Sequence, residues 1–246
     1  MMTIKQYLIE KMKEGTIHLA LLDPDKQKSE DAAVIARKVK EAGTDAIMIG
    51  GSTGVTTDNL SATAKAIKDA SGLKTIHFPG DPTALSKDVD SIFFMSMVNS
   101  KNPFWIMRAQ ASASAYIKNL GVETISLGYI IVEPGMKVGE VGEAVPIKHN
   151  EIDKAIGYAV ACELFGMDFV YLEAGSGADT PVPPAMISAV KKNLSIPLLV
   201  GGGIRTPEAA EAARLAGADA IVTGTFIENC KDSDKLKAVV HASKGL

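Results

Sequence analysis

The sequence predicts an α/β fold, a (β/α)8 TIM-like barrel formed as a single domain over residues 1–246, and three observations carry that reading. Short apolar segments rich in Ile and Val alternate with amphipathic stretches, the pattern of parallel strands covered by helices. Eight such apolar segments occur, one for each strand of a closed barrel. The length of 246 residues is close to the ~250 typical of that architecture and allows a large core.

Taken in order, strands are expected at Ile17 to Leu22, Ala46 to Ile49, Lys74 to Phe78, Ser91 to Met95, Glu123 to Ile131, Phe169 to Glu173, Leu198 to Val200 and Ala220 to Val222. Helical patterns lie between them at Asp31 to Ala42, Asn59 to Ala70, Pro103 to Leu120, Glu151 to Phe165, Ala185 to Asn193 and Pro207 to Leu215. In the first of these, Ala32, Ile35, Ala36 and Val39 fall on one face. The third repeat departs from the pattern. Between His77 and the strand at Ser91 stands FPGDPTALSKDVD, whose Pro and Gly residues break a helix. A loop or short turn is expected to replace the third helix and to open a gap in the outer ring. After the fifth strand, VEPGMKVGEVGEAVPIKHN reads as a long loop over the barrel mouth, where long loops are usually functional.

A formal net charge of -3 argues against nucleic acid as a partner, because phosphate-backbone binders carry a clustered basic excess. Cys162 and Cys230 stand far apart with no histidine-rich spacing, so neither a metal knuckle nor a disulfide scaffold is indicated. The N-terminus has no signal-peptide core and nowhere do ~18 apolar residues run together, so a soluble, cytoplasmic protein is expected. The histidines, His18, His77, His149 and His241, show no pairing suited to a base or metal cluster. Nucleophile elbow, Walker loop and dinucleotide fingerprint are all missing from the sequence.

In a barrel of this kind the C-terminal strand ends converge on one face, so each can be read for chemistry. At Gly201, Gly202 and Gly203 the missing side chains let main-chain N–H groups approach an anion, and the helix starting near Thr206 and Pro207 directs its positive end the same way. Gly224 and Thr225 repeat the device, and Gly175, Ser176 and Gly177 add a third set. Glycines often serve turns alone, but three glycine-bearing ends on neighbouring strands suit a phosphate, which this fold prefers to hold at strands seven and eight. A helix N-terminus contributes only ~0.3–2 kcal/mol per charge, so several must act together on a dianion.

Asp23 ends the first strand, and Pro24 after it stops the ladder and directs the carboxylate into the mouth. A hard cation such as magnesium accepts one carboxylate, the Ser52 hydroxyl and substrate phosphates as ligands; an aspartate at this place also serves as a turn or cap residue. Glu173 can accept a proton or hydrogen bond from a substrate hydroxyl, or form an ion pair at the rim. Tyr129 and Tyr171 suit polar-tipped walls or a buried core. On these residues alone, two other readings stay open: an isomerase or aldolase of a sugar phosphate, with Lys26 as the nearest lysine, and a non-catalytic binder of a phosphorylated metabolite.

The motifs LLDPDK, IGGSTGVT, HFPG, SMVNSKNP, GYIIVEPGMKVG, YLEAGSGA, VGGGIRTPE and GADAIVTGT, in this order from Asp23 to Thr225, give the chain a resemblance to the archaeal geranylgeranylglyceryl phosphate synthases, with bacterial heptaprenylglyceryl phosphate synthases as cousins. The VEPGMKVG and LLDPDK segments favour the archaeal branch. In the bacterial branch a lysine tends to stand two residues before the aspartate, and Leu21 occupies that place here. The departure argues against phosphate binding by the first strand and leaves the metal role of Asp23 intact.

The resemblance implies a magnesium-dependent prenyl transfer, in which the 3-hydroxyl of sn-glycerol 1-phosphate attacks C1 of geranylgeranyl diphosphate and releases diphosphate, forming the first ether bond of archaeal membrane lipids. It assigns Asp23 and Ser52 to Mg2+, and Tyr171, Leu172, Glu173, Ala174, Gly175, Ser176, Gly177, Gly202, Gly203, Gly224 and Thr225 to glycerol phosphate. Glu173 orients or deprotonates the attacking hydroxyl, making Glu173 and Asp23 the catalytic pair. The prenyl tail is expected in an apolar trough between the loop at Phe78 to Pro82 and the helix bearing Phe104, Trp105 and Met107, with Tyr129 on its wall and Phe93, Phe94, Met95 and Met97 as further lining. The resemblance also implies a homo-oligomer, and the lipid substrate implies peripheral membrane contact.

Overall fold

Residues 2–51 and 53–246 are described by a computed structural model; Ser52 lies outside them. The chain opens with helix α1 (Ile4–Glu14), whose Thr3 cap accepts from the Gln6 N–H while the Gln6 side chain accepts from Thr3 N–H. The strands β1 (Ile17–Leu22), β2 (Ala46–Gly50), β3 (Lys74–Phe78), β4 (Ser91–Met97), β5 (Glu123–Ile131), β6 (Phe169–Glu173), β7 (Leu198–Gly201) and β8 (Ala220–Thr223) pair in parallel and in sequence order. β8 returns to β1, with Ile17 opposite Ala220, and closes the barrel. Each predicted strand is present, and four of them run one or two residues further than expected: Gly50, Met97, Gly201 and Thr223 still hold the extended backbone.

Side chains alternate between two cores. Leu19, Met48, Ile76, Phe93, Leu127, Phe169, Tyr171, Leu199 and Val222 fill the pore, whereas Ala20, Ile47, Ile49, Ile92, Val170, Leu172, Val200 and Ile221 pack outward against the helices. Those helices are α2 (Ser29–Ala42), α3 (Thr57–Ser71), α4 (Ala109–Leu120), α6 (Ile152–Leu164), α7 (Pro184–Lys192), α8 (Pro207–Leu215) and α10 (Ser233–Lys244), with two short ones, α5 (Met136–Val141) and α9 (Thr225–Asn229), over the mouth. The predicted helix from Pro103 begins as a wider π-helical turn over Phe104–Arg108 before α4. Between β3 and β4 no helix forms among the described residues, as the Pro and Gly residues there require.

The sequence reading did not specify α1, α5, α9 or α10 as helices. α1 closes the floor: Ile4 and Leu8 join the pore core, Tyr7 donates to the Asp45 carbonyl at 2.9 Å, and the Glu123 carboxylate accepts from the Ile4 and Lys5 N–H groups at 2.5 and 2.9 Å. A carboxylate there also suits the positive end of the helix. The expected long loop after β5 does form, and α5 sits inside it. Buried Asn99 pins this segment, donating to the Ile131 and Val145 carbonyls at 2.9 Å each and accepting from Ile131 N–H at 3.0 Å.

Candidate functional site

Three cavities open in the mouth and share walls. The first, of about 390 Å³, is a polar cup between the ends of β6, β7 and β8, lined by Tyr171, Glu173, Ser176, Gly177, Gly202, Gly203, Arg205, Gly224 and Thr225 among others. The expected glycine-bearing ends therefore meet. Gly202 and Gly203 take positive φ, +84° and +74°, where side chains are strained. A Cβ on Gly202 would strike the Glu173 carboxylate and lie 2.6 Å from Gly175 N, and one on Gly203 would lie 2.9 Å from the Ala178 carbonyl. Gly201 does something else: it ends β7 against the Tyr171 hydroxyl, which occupies the place of a Cβ, and it does not line the cup. Ser176 and Thr225 exchange a hydrogen bond at 2.5 Å across the rim.

Strand alternation divides the YLEAGSG segment. Tyr171 and Glu173 face the pore, while Leu172 and Ala174 turn into the outer core; the Ala174 main chain is itself engaged, donating to the Gly201 carbonyl at 3.1 Å and accepting from Gly135 N–H at 2.9 Å. Gly175 is likewise not a lining residue; its N–H donates to the Glu173 carboxylate at 2.6 Å, and α5 and Gly135 lie where its Cβ would go.

Glu173 is buried, accepts from the Tyr171 hydroxyl, and has no cation within ion-pair distance among the described residues. The rim ion pair left open by the sequence is thus not what forms. Burial pushes its carboxyl above the ordinary range, partly offset by the Tyr171 and Gly175 hydrogen bonds. Tyr129 and Tyr171 are raised well above the usual phenol value, by burial first and then by Glu173, and stay protonated.

The second cavity, of about 670 Å³, adjoins the cup through Leu21, Glu173 and Ser176 and is lined by Asp23, Gly51, Phe78, Met95, Met97, Trp105, Tyr129 and the α5 residues Val138 and Val141. Phe78, Tyr129 and Tyr171 form an aromatic cluster here, with ring centres 5.1 to 5.9 Å apart. The third, of about 410 Å³, continues from Pro79, Gly80, Met95 and Trp105 into the gap left by the missing helix, between Leu85, Phe94, Ala109, Ala113 and Ile117. An apolar trough thus exists where the sequence placed it, with Phe78, Tyr129 and Trp105 on its wall. Phe93 is not part of it: it faces the pore and is sealed there against Phe169. Phe104 and Met107 also stay out of the lining, because the widened turn carries Met107 outward to 65% exposure.

Asp23 lies at the edge of the second cavity, mostly buried, and is ion-paired to Lys26. Glu228, on α9, completes this group: its carboxylate accepts from the Asp23 N–H at 3.0 Å and lies 3.6 Å from the Lys26 ammonium. Burial raises the carboxyls of both Asp23 and Glu228, and Lys26 opposes that shift in each. Sequence reasoning missed Glu228, which belongs to no motif, and Arg205, which sat unassigned inside GGGIRTPE. Among the described residues no three His, Cys, Asp or Glu side chains converge to hold a metal by themselves.

The chain matches the PcrB family over residues 7–243. It is 48% identical over 246 residues to the geranylgeranylglyceryl phosphate synthase of Thermococcus kodakarensis, covering 98% of each chain. To that of Methanosphaera stadtmanae it is 45% identical over 244 residues, covering 98% of this chain and 100% of the other. The crystal structure of (S)-3-O-geranylgeranylglyceryl phosphate synthase from Thermoplasma acidophilum in complex with its substrate sn-glycerol-1-phosphate superposes with a TM-score of 0.97 at 40% identity, covering 100% of both chains. The chain therefore belongs to the PcrB family, as a member of the geranylgeranylglyceryl phosphate synthases.

Proposed function

We propose that the protein joins geranylgeranyl diphosphate to the 3-hydroxyl of sn-glycerol 1-phosphate. The observation that carries this reading is the continuity of a glycine-walled polar cup with an apolar trough, with Glu173 on the wall between them. A sugar-phosphate isomerase or aldolase needs no such trough, and among the described residues no lysine lines any of the three cavities.

In this reading the cup holds the glycerol phosphate head group with the main-chain N–H groups of Gly177, Gly202, Gly203 and Gly224 and the Thr225 hydroxyl. Glu173, held by Tyr171 and Gly175, accepts the hydrogen of the 3-hydroxyl. The hydroxyl oxygen forms its bond to C1 of the prenyl chain as the bond from C1 to diphosphate breaks, and the proton passes to Glu173. Positioning does most of the work, because an allylic diphosphate departs readily once its charge is neutralised. The tail lies along Phe78, Tyr129 and Trp105 and continues between Phe94 and Ala109.

Magnesium fits the residues present. Asp23 already carries a cation on its carboxylate, in the form of Lys26, and a single carboxylate completed by phosphate oxygens and water is a usual magnesium environment. Asp23, with Ser52, would hold the ion, which supplies charge neutralisation at the leaving diphosphate. No helix among the described residues is long and apolar enough to cross a membrane. Peripheral membrane contact in this reading runs through the lipid substrate and product. The test is incubation of the protein with both substrates and magnesium, followed by mass spectrometry for the prenyl ether and an assay for released diphosphate. Folded protein that yields neither product refutes the assignment.

A further inference from the structure

A phosphate dianion in the cup faces a charge problem that glycines alone do not solve. Buried Glu173 lines the same pocket, and in a weakly polarisable surrounding its carboxylate repels an incoming anion strongly. Main-chain N–H groups and helix ends carry only partial charges.

Of the described residues that line the cup, Arg205 is the one cation. Its Nη2 donates to the Gly177 carbonyl at 3.2 Å, to the Ala178 carbonyl, and to the Asp179 carboxylate at 3.1 Å. The Asp179 side chain is 99% exposed, so that ion pair contributes little. The two carbonyls are what fix the side chain, and they belong to the turn that follows β6. Arg205 itself belongs to the loop that follows β7, next to Gly203, whose missing Cβ lets the Ala178 carbonyl approach. A guanidinium has five N–H donors, and here the protein engages only those of Nη2 among the described residues. Donors on Nη1 and Nε remain for an anion.

We propose that Arg205 is a positioning and specificity residue of the cup: it ties the turn after β6 to the loop after β7, and it supplies the positive charge by which the site selects a phosphate dianion. The inference rests on the function given above and deepens it. Lysine reproduces the charge and not the planar fork, so the conservative change separates the two parts of the role.

The experiment uses the full chain as wild type, Arg205→Met and Arg205→Lys. Binding of sn-glycerol 1-phosphate is titrated by calorimetry without prenyl donor, and steady-state constants are measured for both substrates. Arg205→Met is expected to weaken glycerol phosphate binding and raise its KM by roughly tenfold to a hundredfold, with kcat and the KM for the prenyl donor nearly unchanged. As pH drops through the second phosphate pKa of about 6 the ligand loses charge while protonation of Glu173 relieves its repulsion, so the comparison is between proteins: the affinity advantage of wild type over Arg205→Met narrows across that range. Arg205→Lys recovers part of the affinity. Equal affinity in Arg205→Met and wild type overturns the proposal, as does an equal loss for both substrates with a lowered melting temperature, which makes Arg205 merely structural. Wild-type protein that binds no glycerol phosphate overturns the underlying function as well.

Discussion

Glu173 illustrates how much one position can reveal. Its place at the end of β6 was legible because alternation from Phe169 and Tyr171 puts it on the pore side, while the Tyr171 and Gly175 hydrogen bonds that hold it were not, since they depend on the turn taken after the strand. Burial raises its pKa above the ordinary 4.5, so the base form is lost, as pH falls, at a higher pH than for a free glutamate. The acid limb of kcat is therefore expected to have its midpoint above that value. Glu173→Gln is expected to lower kcat by roughly 10²- to 10⁴-fold and to remove the limb. A pH profile unchanged in the variant would take the proton-accepting role from this residue. Lys26 and Glu228 mark the opposite case. Glu228 lies 205 positions from Asp23 in the chain, and only closure of β8 onto β1 brings it to the mouth end of the first strand.

At the scale of elements, the missing third helix was legible because Pro and Gly forbid it, and a gap in a ring of helices needs no further information to place. The π-helical turn at Phe104–Arg108 was not legible, since the apolar period there fits an ordinary helix, and it decides which side chains enter the trough. Trp105 faces in and Met107 out. Ala109 stands farther along the same cavity, 8% exposed, where a larger side chain would occupy the channel. Ala109→Phe is expected to shift the preferred donor from geranylgeranyl toward farnesyl diphosphate, with glycerol phosphate affinity retained. A panel of prenyl diphosphates measures this, and an unchanged preference would move the tail to another path.

Over the whole molecule, the barrel was readable because each strand is apolar on both faces and each helix on one, whereas α1 and α10 were less so, their lysines and glutamates diluting the apolar period. Both bind the floor: Lys244 of α10 reaches Asp45 at 2.8 Å and the Gly43 carbonyl at 2.9 Å. Above that contact His18 is sealed between Thr44 and Thr223, at 2.9 and 2.8 Å, and burial lowers its pKa to about 3; burial likewise lowers His77 to about 4. Both folded values lie below the unfolded 6.5. Their neutral forms thus stabilise the fold fully above pH 6.5, and that contribution is lost as pH falls toward 3 and 4, by ~1.4 kcal/mol per pH unit for each proton. Asp23, Glu173 and Glu228, with raised values, act in the opposite direction, so the difference between wild type and a single variant is the useful measure. His77→Leu is expected to make melting temperature fall less steeply with acid between pH 6.5 and 4. Parallel curves for the two proteins would contradict this account of acid sensitivity.

The breach between β3 and β4 also sets a geometric rule for long ligands. A tail seated there leaves through the flank of the cylinder instead of upward along its axis. Each added isoprene unit then extends the free end sideways toward bulk solvent or lipid, and the reacting carbon keeps one fixed depth below the rim.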